Sequence, residues 1–180
     1  MRIVARPLLV AVFAVGSAGA LAENLSQSPA AADNWIISET TSPLDYRPVV
    51  VAVARSRDTA KGAASELTIS CRNGRTGLVV TGQIISGRGD DYAISYRIDD
   101  HQPVQLGVGS PSSGSGAVFP GDIVVLLQSL PDAGEIAIRL APRTGPLREV
   151  HFSLNGLSAV RNKLARACNW PQAMSKPRSG

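Results

Sequence analysis

Two cysteines, two histidines and an aromatic content of 4% are nearly all that this 180-residue chain has of the side chains that most often carry chemistry. No C-x-x-C or H-x-x-x-H spacing occurs, so the sequence holds no zinc-ligand pattern. There is no G-x-S-x-G, and only His101 and His151 could serve as imidazole bases, fifty positions apart and in unrelated contexts. The acidic pairs Asp90-Asp91 and Asp99-Asp100 lack the alternating oxygen ligands around a glycine that a calcium loop needs. The Gly/Ser-rich stretch 107–116 is not followed by Lys-Ser/Thr, which excludes a Walker-type phosphate loop. Basic residues are interspersed with acidic ones and no aromatic-rich basic strand appears, so nucleic acid is not an expected partner. Past residue 22 no run approaches the ~18 apolar residues of a membrane span, and stable membrane insertion is not expected either. The pattern calls for no cofactor and no metal.

What is present begins with an export signal. Arg2 and Arg6 form a positive start, residues 7–19 are apolar and small, and Ala20-Leu21-Ala22 is an A-x-A cleavage site. No cysteine follows the apolar run, so the expected product is periplasmic, soluble and not a lipoprotein. Cleavage after Ala22 removes 22 of 180 residues and leaves 158, enough for one domain with its own core. It also removes two arginines and no acid, lowering the formal charge from +4 to about +2. The expected organisation is a signal at 1–22, a flexible lead-in at 23–34, one β-rich domain at 35–170 and a disordered tail at 171–180.

Residues 66–81, ELTISCRNGRTGLVVT, give the firmest structural reading. Asn73-Gly74 favours a two-residue type I′ turn, because both central positions need positive φ. That turn sets Arg72 against Arg75, Cys71 against Thr76, Ile69 against Leu78 and Leu67 against Val80. Facing residues of an antiparallel pair share a side of the sheet, so Leu67, Ile69, Leu78 and Val80 collect on one face beside Cys71. Two cysteines in an exported chain suggest one disulfide, Cys71–Cys168, although two free thiols remain the alternative. Closing so long a loop contributes about 4–5 kcal/mol in the chain-entropy model.

The other elements follow from periodicity. Residues 49–53 are β-branched and read as a strand, after a turn at Ser42-Pro43-Leu44-Asp45. Residues 92–99 alternate, with Tyr92, Ile94, Tyr96 and Ile98 inward and Ala93, Ser95, Arg97 and Asp99 outward. A short strand runs through Val104 and Leu106, and 109–116 reads as a flexible segment without a hydrophobic anchor. Asp122 caps an expected helix carrying Ile123, Leu126, Leu127 and Leu130, though its valines also suit a strand. Ile136, Ile138 and Leu140, then Val150, Phe152 and Leu154, give two further inward faces. Asn155 is the expected N-cap of a last helix whose stripe is Leu157, Val160, Leu164, Ala167 and Cys168, with Arg161, Lys163 and Arg166 outside. Trp35 and Trp170 are expected at the margin of the core. The fold class is α+β: a β-rich, antiparallel, sandwich-like sheet with two helices and one disulfide. Among polar residues, Arg97 and Asp99 stand out as a possible interaction surface, sharing an outward strand face where they could also pair with each other.

In order, Trp35, Ser42-Pro43-Leu44-Asp45, 49–53, Leu67-x-Ile69-x-Cys71-Arg72, Tyr96-Arg97-Ile98-Asp99, the apolar 119–130, Phe152-Ser153-Leu154-Asn155-Gly156-Leu157 and Cys168-Asn169-Trp170 span nearly the whole mature domain. This ordered set resembles the VasI/TagO family of exported accessory proteins associated with bacterial type VI secretion. The chain departs from that pattern after the R-x-D strand, where Gln105-Leu106-Gly107 stands in place of a Trp and a Ser-Thr segment. The resemblance implies a periplasmic, non-enzymatic accessory protein without catalytic residues, whose partners are envelope proteins and possible secretion-apparatus subunits. Two other readings stay open from the residues alone. One is an envelope glycan-acting enzyme using a carboxylate pair; the other is a small-ligand-binding protein with an enclosed pocket.

Overall fold

In a computed structural model, the described residues are 30–32, 34–57, 64–82, 92–111 and 116–171. The expected leader 1–22, most of the expected lead-in, the pair Asp90-Asp91 and the expected tail from 172 lie outside them. Among the described residues, ten strands and two helices follow one another: β1 (Ala30–Ala32), β2 (Trp35–Thr41), β3 (Pro48–Arg55), β4 (Glu66–Arg72), β5 (Arg75–Thr81), β6 (Tyr92–Ile98), β7 (Val104–Pro111), β8 (Gly116–Val118), α1 (Ile123–Ser129), β9 (Glu135–Pro142), β10 (Arg148–Ser153) and α2 (Leu157–Cys168). The fold is α+β and antiparallel throughout, as its patterning indicates.

The β4–β5 hairpin has the register its turn dictates. Asn73 and Gly74 sit at φ 52° and 71°, and Arg72, Cys71, Ile69 and Leu67 face Arg75, Thr76, Leu78 and Val80. Leu67, Ile69, Cys71, Leu78 and Val80 are all buried. Cys71 is bonded to Cys168 across 97 positions, with Cα atoms 5.8 Å apart, an ordinary disulfide span. The bond fastens α2 to β4, and the buried stripe Leu157, Val160, Leu164 and Cys168 packs into the common core.

Strand order along the ladder is β1-β2-β3-β4-β5-β8-β7-β6-β9-β10. This makes two antiparallel sheets, A (β1–β5 and β8) and B (β6, β9 and β10), joined through β7. The first part of β7 pairs with β6, and its last residues pair with β8, Ser110 opposite Val118 and Pro111 opposite Ala117. The segment expected to be flexible therefore contributes at both ends to the joint between sheets, and only 112–115 lie outside the described residues. Gly109 is buried at this crossing, where a Cβ would collide with the Ile94 side chain and the Val118 carbonyl oxygen. Only glycine fits there. A pairing shift between Ile94 and Ser95 marks the same bend. At the far side, the Arg57 N–H donates to the His151 carbonyl at 2.9 Å and links the end of β3 to β10.

Several local expectations are corrected. Ala30–Ala32, inside the expected lead-in, forms an edge strand on β2. The carboxylate of Asp122 does cap α1, accepting from Val124 N at 2.9 Å and Val125 N at 3.1 Å. Asn155, however, does not cap α2. Gly156 holds that position at φ 86°, while Asn155 Oδ1 accepts from Gly134 N at 3.4 Å. Nor does Arg161 point simply outward. Its guanidinium donates to the Leu127 and Leu130 carbonyls at 2.9 and 2.7 Å and to Asp132, satisfying carbonyls at the C-terminal end of α1. Trp35 lies inside the core rather than at its margin, 1% exposed, whereas Trp170 reaches Thr76 Oγ1 through its indole N–H at 2.7 Å.

Candidate functional site

On sheet B the inward positions are plain: Ile94, Ile136, Ile138, Leu140, Val150 and Phe152 are all at most 2% exposed. The outward positions are unusual. Pairing places Ser95 beside Arg139 and Arg139 beside Glu149, while Arg97 lies beside Ala137 and Ala137 beside His151. Small residues thus alternate with long charged ones across the three strands. Ser95, Ala137 and Ser153 are buried although they face away from the core, Ala137 at 4% exposed. The long neighbours set beside them by the pairing account for this burial, since Arg and Glu stems cover apolar surface while their heads stay in water.

The heads form one connected network. Arg139 is hydrogen-bonded to Glu149, and Arg97 Nη2 lies 3.8 Å from the other Glu149 oxygen. His151 Nε2 is 3.3 Å from Glu149 Oε1, and His151 Nδ1 is 2.8 Å from Glu135 Oε1. Arg57 completes the row, its Nη1 3.3 Å from Glu135 Oε2. Both imidazole nitrogens thus face carboxylates; an imidazolium donates to both, a neutral ring to one. The Arg139 hydrogen bond, followed by the charges of Arg139, His151 and Arg97, holds the Glu149 carboxyl below its ordinary value of 4.5 against the opposing effect of burial.

Arg97 and Asp99 belong to this region, but their side chains do not pair. Strand β6 ends at Ile98, and Asp99 stands in the following turn at φ 44°. Arg97 Nη1 donates to the Asp99 backbone carbonyl at 2.9 Å and lies 3.8 Å from the exposed Asp100 carboxylate. The Asp99 carboxylate turns the other way and accepts from Glu135 N at 2.8 Å. It packs so closely on Gly134 that a Cβ there would come within 2.7 Å of Asp99 Oδ2. Asp99 therefore staples the β6–β7 turn to the start of β9, and Arg97 is the member that faces outward into the network.

The sequence reading singled out Arg97 and noted His151 as a possible imidazole base, and it missed Arg57, Glu135, Arg139 and Glu149. Arg139 and Glu149 carried a signal: each is a charge in an outward position of an otherwise apolar alternating strand. Among the described residues no group of three or more His, Cys, Asp or Glu side chains converges as a metal site would require. Depressions of about 330 Å³ and 350 Å³ lie elsewhere, the first lined by Tyr96, Ile98, His101, Gln102, Val104 and Pro131 and the second at the β2–β3 turn. Neither includes Glu135 or Glu149. No helix among the described residues is long and apolar enough to cross a membrane.

No protein-family model matches the chain, and no curated protein matches it significantly. Among solved structures, the chain is similar to the crystal structure of invasion associated protein B from Bartonella henselae. The two are 15% identical, with a TM-score of 0.48 over 77% of this chain and 95% of that one.

Proposed function

We propose that the chain is an exported, non-enzymatic interaction protein of the bacterial envelope that docks a protein partner on the charged outer face of sheet B. One observation carries this reading: the face is an ordered ladder of exposed Arg57 and Arg139 and half-buried Arg97, Glu135, Glu149 and His151, beside the buried small residues Ser95, Ala137 and Ser153. Holding those side chains in place before a partner arrives lowers the ordering cost of association. An extended pattern of both signs selects partners and speeds encounter more than it adds raw affinity. The Cys71–Cys168 bond suits an oxidising compartment, which agrees with the leader pattern at 1–22. Assignment to type VI secretion rests on the ordered sequence pieces shared with the VasI/TagO pattern.

In-cell crosslinking of the mature protein, followed by affinity recovery and mass spectrometry, tests both levels. Recovery of secretion-apparatus subunits that is lost in Arg97→Glu supports the full proposal. Envelope proteins of another system, lost in the same variant, keep the docking face and remove the secretion assignment. The His151 imidazole between Glu135 and Glu149 favours a second reading, proton transfer on a glycan. Retained glycan fragments, with turnover abolished by Glu135→Gln, would establish that reading in place of the first.

A further inference from the structure

At one end of sheet A two hairpin tips lie side by side: the β2–β3 turn, residues 42–47, and the β4–β5 turn around Asn73-Gly74. The first is held by its own hydrogen bonds. Ser42 N donates to Arg47 O and Tyr46 N to Ser42 O, both at 2.9 Å; Leu44 N reaches Ser42 Oγ and Arg47 N reaches Asp45 Oδ1, both at 3.4 Å. This ordered turn leaves Leu44 93% and Tyr46 83% exposed, the two most exposed large hydrophobic residues described. Tyr46 has φ 54°, a left-handed conformation that costs a non-glycine residue about 1–3 kcal/mol and that the fold maintains. A strained, well-tied turn displaying a leucine and a tyrosine to water calls for something to receive them.

The charges beside it say what. Arg72 and Arg75, flanking the second turn, are exposed and have no acidic partner among the described residues. The one carboxylate on the first tip, Asp45, is already engaged by Ser42 and by Arg47, whose Nε lies 3.6 Å away. Between the tips is the depression of about 350 Å³, walled by residues 40–44, Val49, Arg72 and Asn73. Hydroxyls, an amide and a guanidinium are phosphate-binding groups, and the leucine stands at their rim. Apolar side chains on a convex tip, flanked by cations, fit a fluid surface that needs no complementary shape; tyrosine and arginine suit its headgroup layer.

We infer that these two tips form a peripheral site for the phosphate headgroups of an anionic phospholipid bilayer. Leu44 and Tyr46 enter the interface while Arg72 and Arg75 meet the phosphates. The site is separate from the charged face of sheet B and stands whether or not that face binds a protein. It holds the domain on a membrane surface without spanning it.

Cosedimentation of the disulfide-bonded chain with vesicles of phosphatidylethanolamine and phosphatidylglycerol, against vesicles of phosphatidylcholine alone, tests it. Binding is expected on the anionic vesicles only, weakening as salt is raised. Arg72→Gln with Arg75→Gln should reduce affinity by about thirtyfold. Leu44→Ser with Tyr46→Ser should reduce it by about tenfold or more. Arg72→Lys with Arg75→Lys should retain most of it, and Leu147→Ser, at an exposed site elsewhere, should change nothing. Circular dichroism of each variant identifies any that misfolds, and the retained binding of the lysine pair stands independently of the losses. Equal binding to both vesicle types, or binding indifferent to both pairs, overturns the proposal. Retention on immobilised polyglutamate without vesicle binding would assign the tips to an acidic protein instead. Release by low inorganic phosphate at constant ionic strength would reveal a free-phosphate site, and it too overturns the lipid assignment.

Discussion

The outer faces of the two sheets share one core and differ in almost everything else. On sheet A, the row Ile36, Val53, Thr68 and Val79 and the neighbouring row Ser38, Val51, Ser70 and Gly77 cross β2 to β5 without a single charge. On sheet B the corresponding rows carry Arg97, Arg139, Glu149 and His151 over buried serine and alanine. Inward residues explain folding equally well for both, because burying apolar side chains drives both halves. Folding alone does not call for a connected charged network on one side and, on the other, a neutral centre whose charges stand only at its ends, Arg55 with Glu66 at one and Arg72 and Arg75 at the other. That asymmetry is what makes sheet B the candidate docking face.

The comparison can be broken from the inside first. Ile69→Asp places an unpaired carboxylate in the core and should unfold the domain, while Ser70→Asp, one residue along on the outer face of sheet A, should fold with a nearly unchanged midpoint in urea. Similar tolerance of both would contradict the register. Next in size is the covalent tie. Cys71→Ser and Cys168→Ser should each cost about 3–5 kcal/mol in equilibrium unfolding, and the double variant little more than either single one. Additive losses would deny a shared bond.

Smaller substitutions sharpen the contrast between outer faces. Ala137→Leu has to lift the Arg97 and His151 side chains off their floor and should cost about 1–3 kcal/mol. Ser70→Leu on the outer face of sheet A should stay within about 0.5 kcal/mol of the wild type, as measured by denaturant titration. Among substitutions that remove an interaction, the smallest effect belongs to Glu149. Its carboxyl titrates below the ordinary value of 4.5, so the stabilisation it provides is complete above that value and is lost as pH falls through the lowered one. Glu149→Gln should therefore be less stable than the wild type near neutrality, by under about 1 kcal/mol because the pair is partly solvated. The two should converge well below pH 4.5, and a gap independent of pH would remove the charge explanation.

Features encoded locally were legible in the sequence. Asn73-Gly74 sets its turn by φ requirements alone, and the alternation of Ile136, Ile138 and Leu140 marks a buried face without reference to any partner strand. Asp122 announces its helix because a cap acts over three residues. What needed the third dimension was less visible. Gly109 reads as a loop glycine until the two sheets meet over it, and Arg161 reads as a surface charge until α1 ends beside it. Arg97, Arg139 and the pair Glu149 and His151 stand on three different strands and become neighbours only through the pairing of β6, β9 and β10. Asp99 looked like a fourth outward strand residue. The turn that begins there swings its carboxylate onto the backbone of β9 instead.

Photocrosslinking in cells most directly tests the claim that sheet B is the docking face. A photoreactive amino acid replaces Arg139 in one strain and Ser70 in another, so that each outer face carries one probe. The account predicts a discrete protein adduct from position 139 and none from position 70. Adducts formed only from position 70, or from neither face, would contradict it.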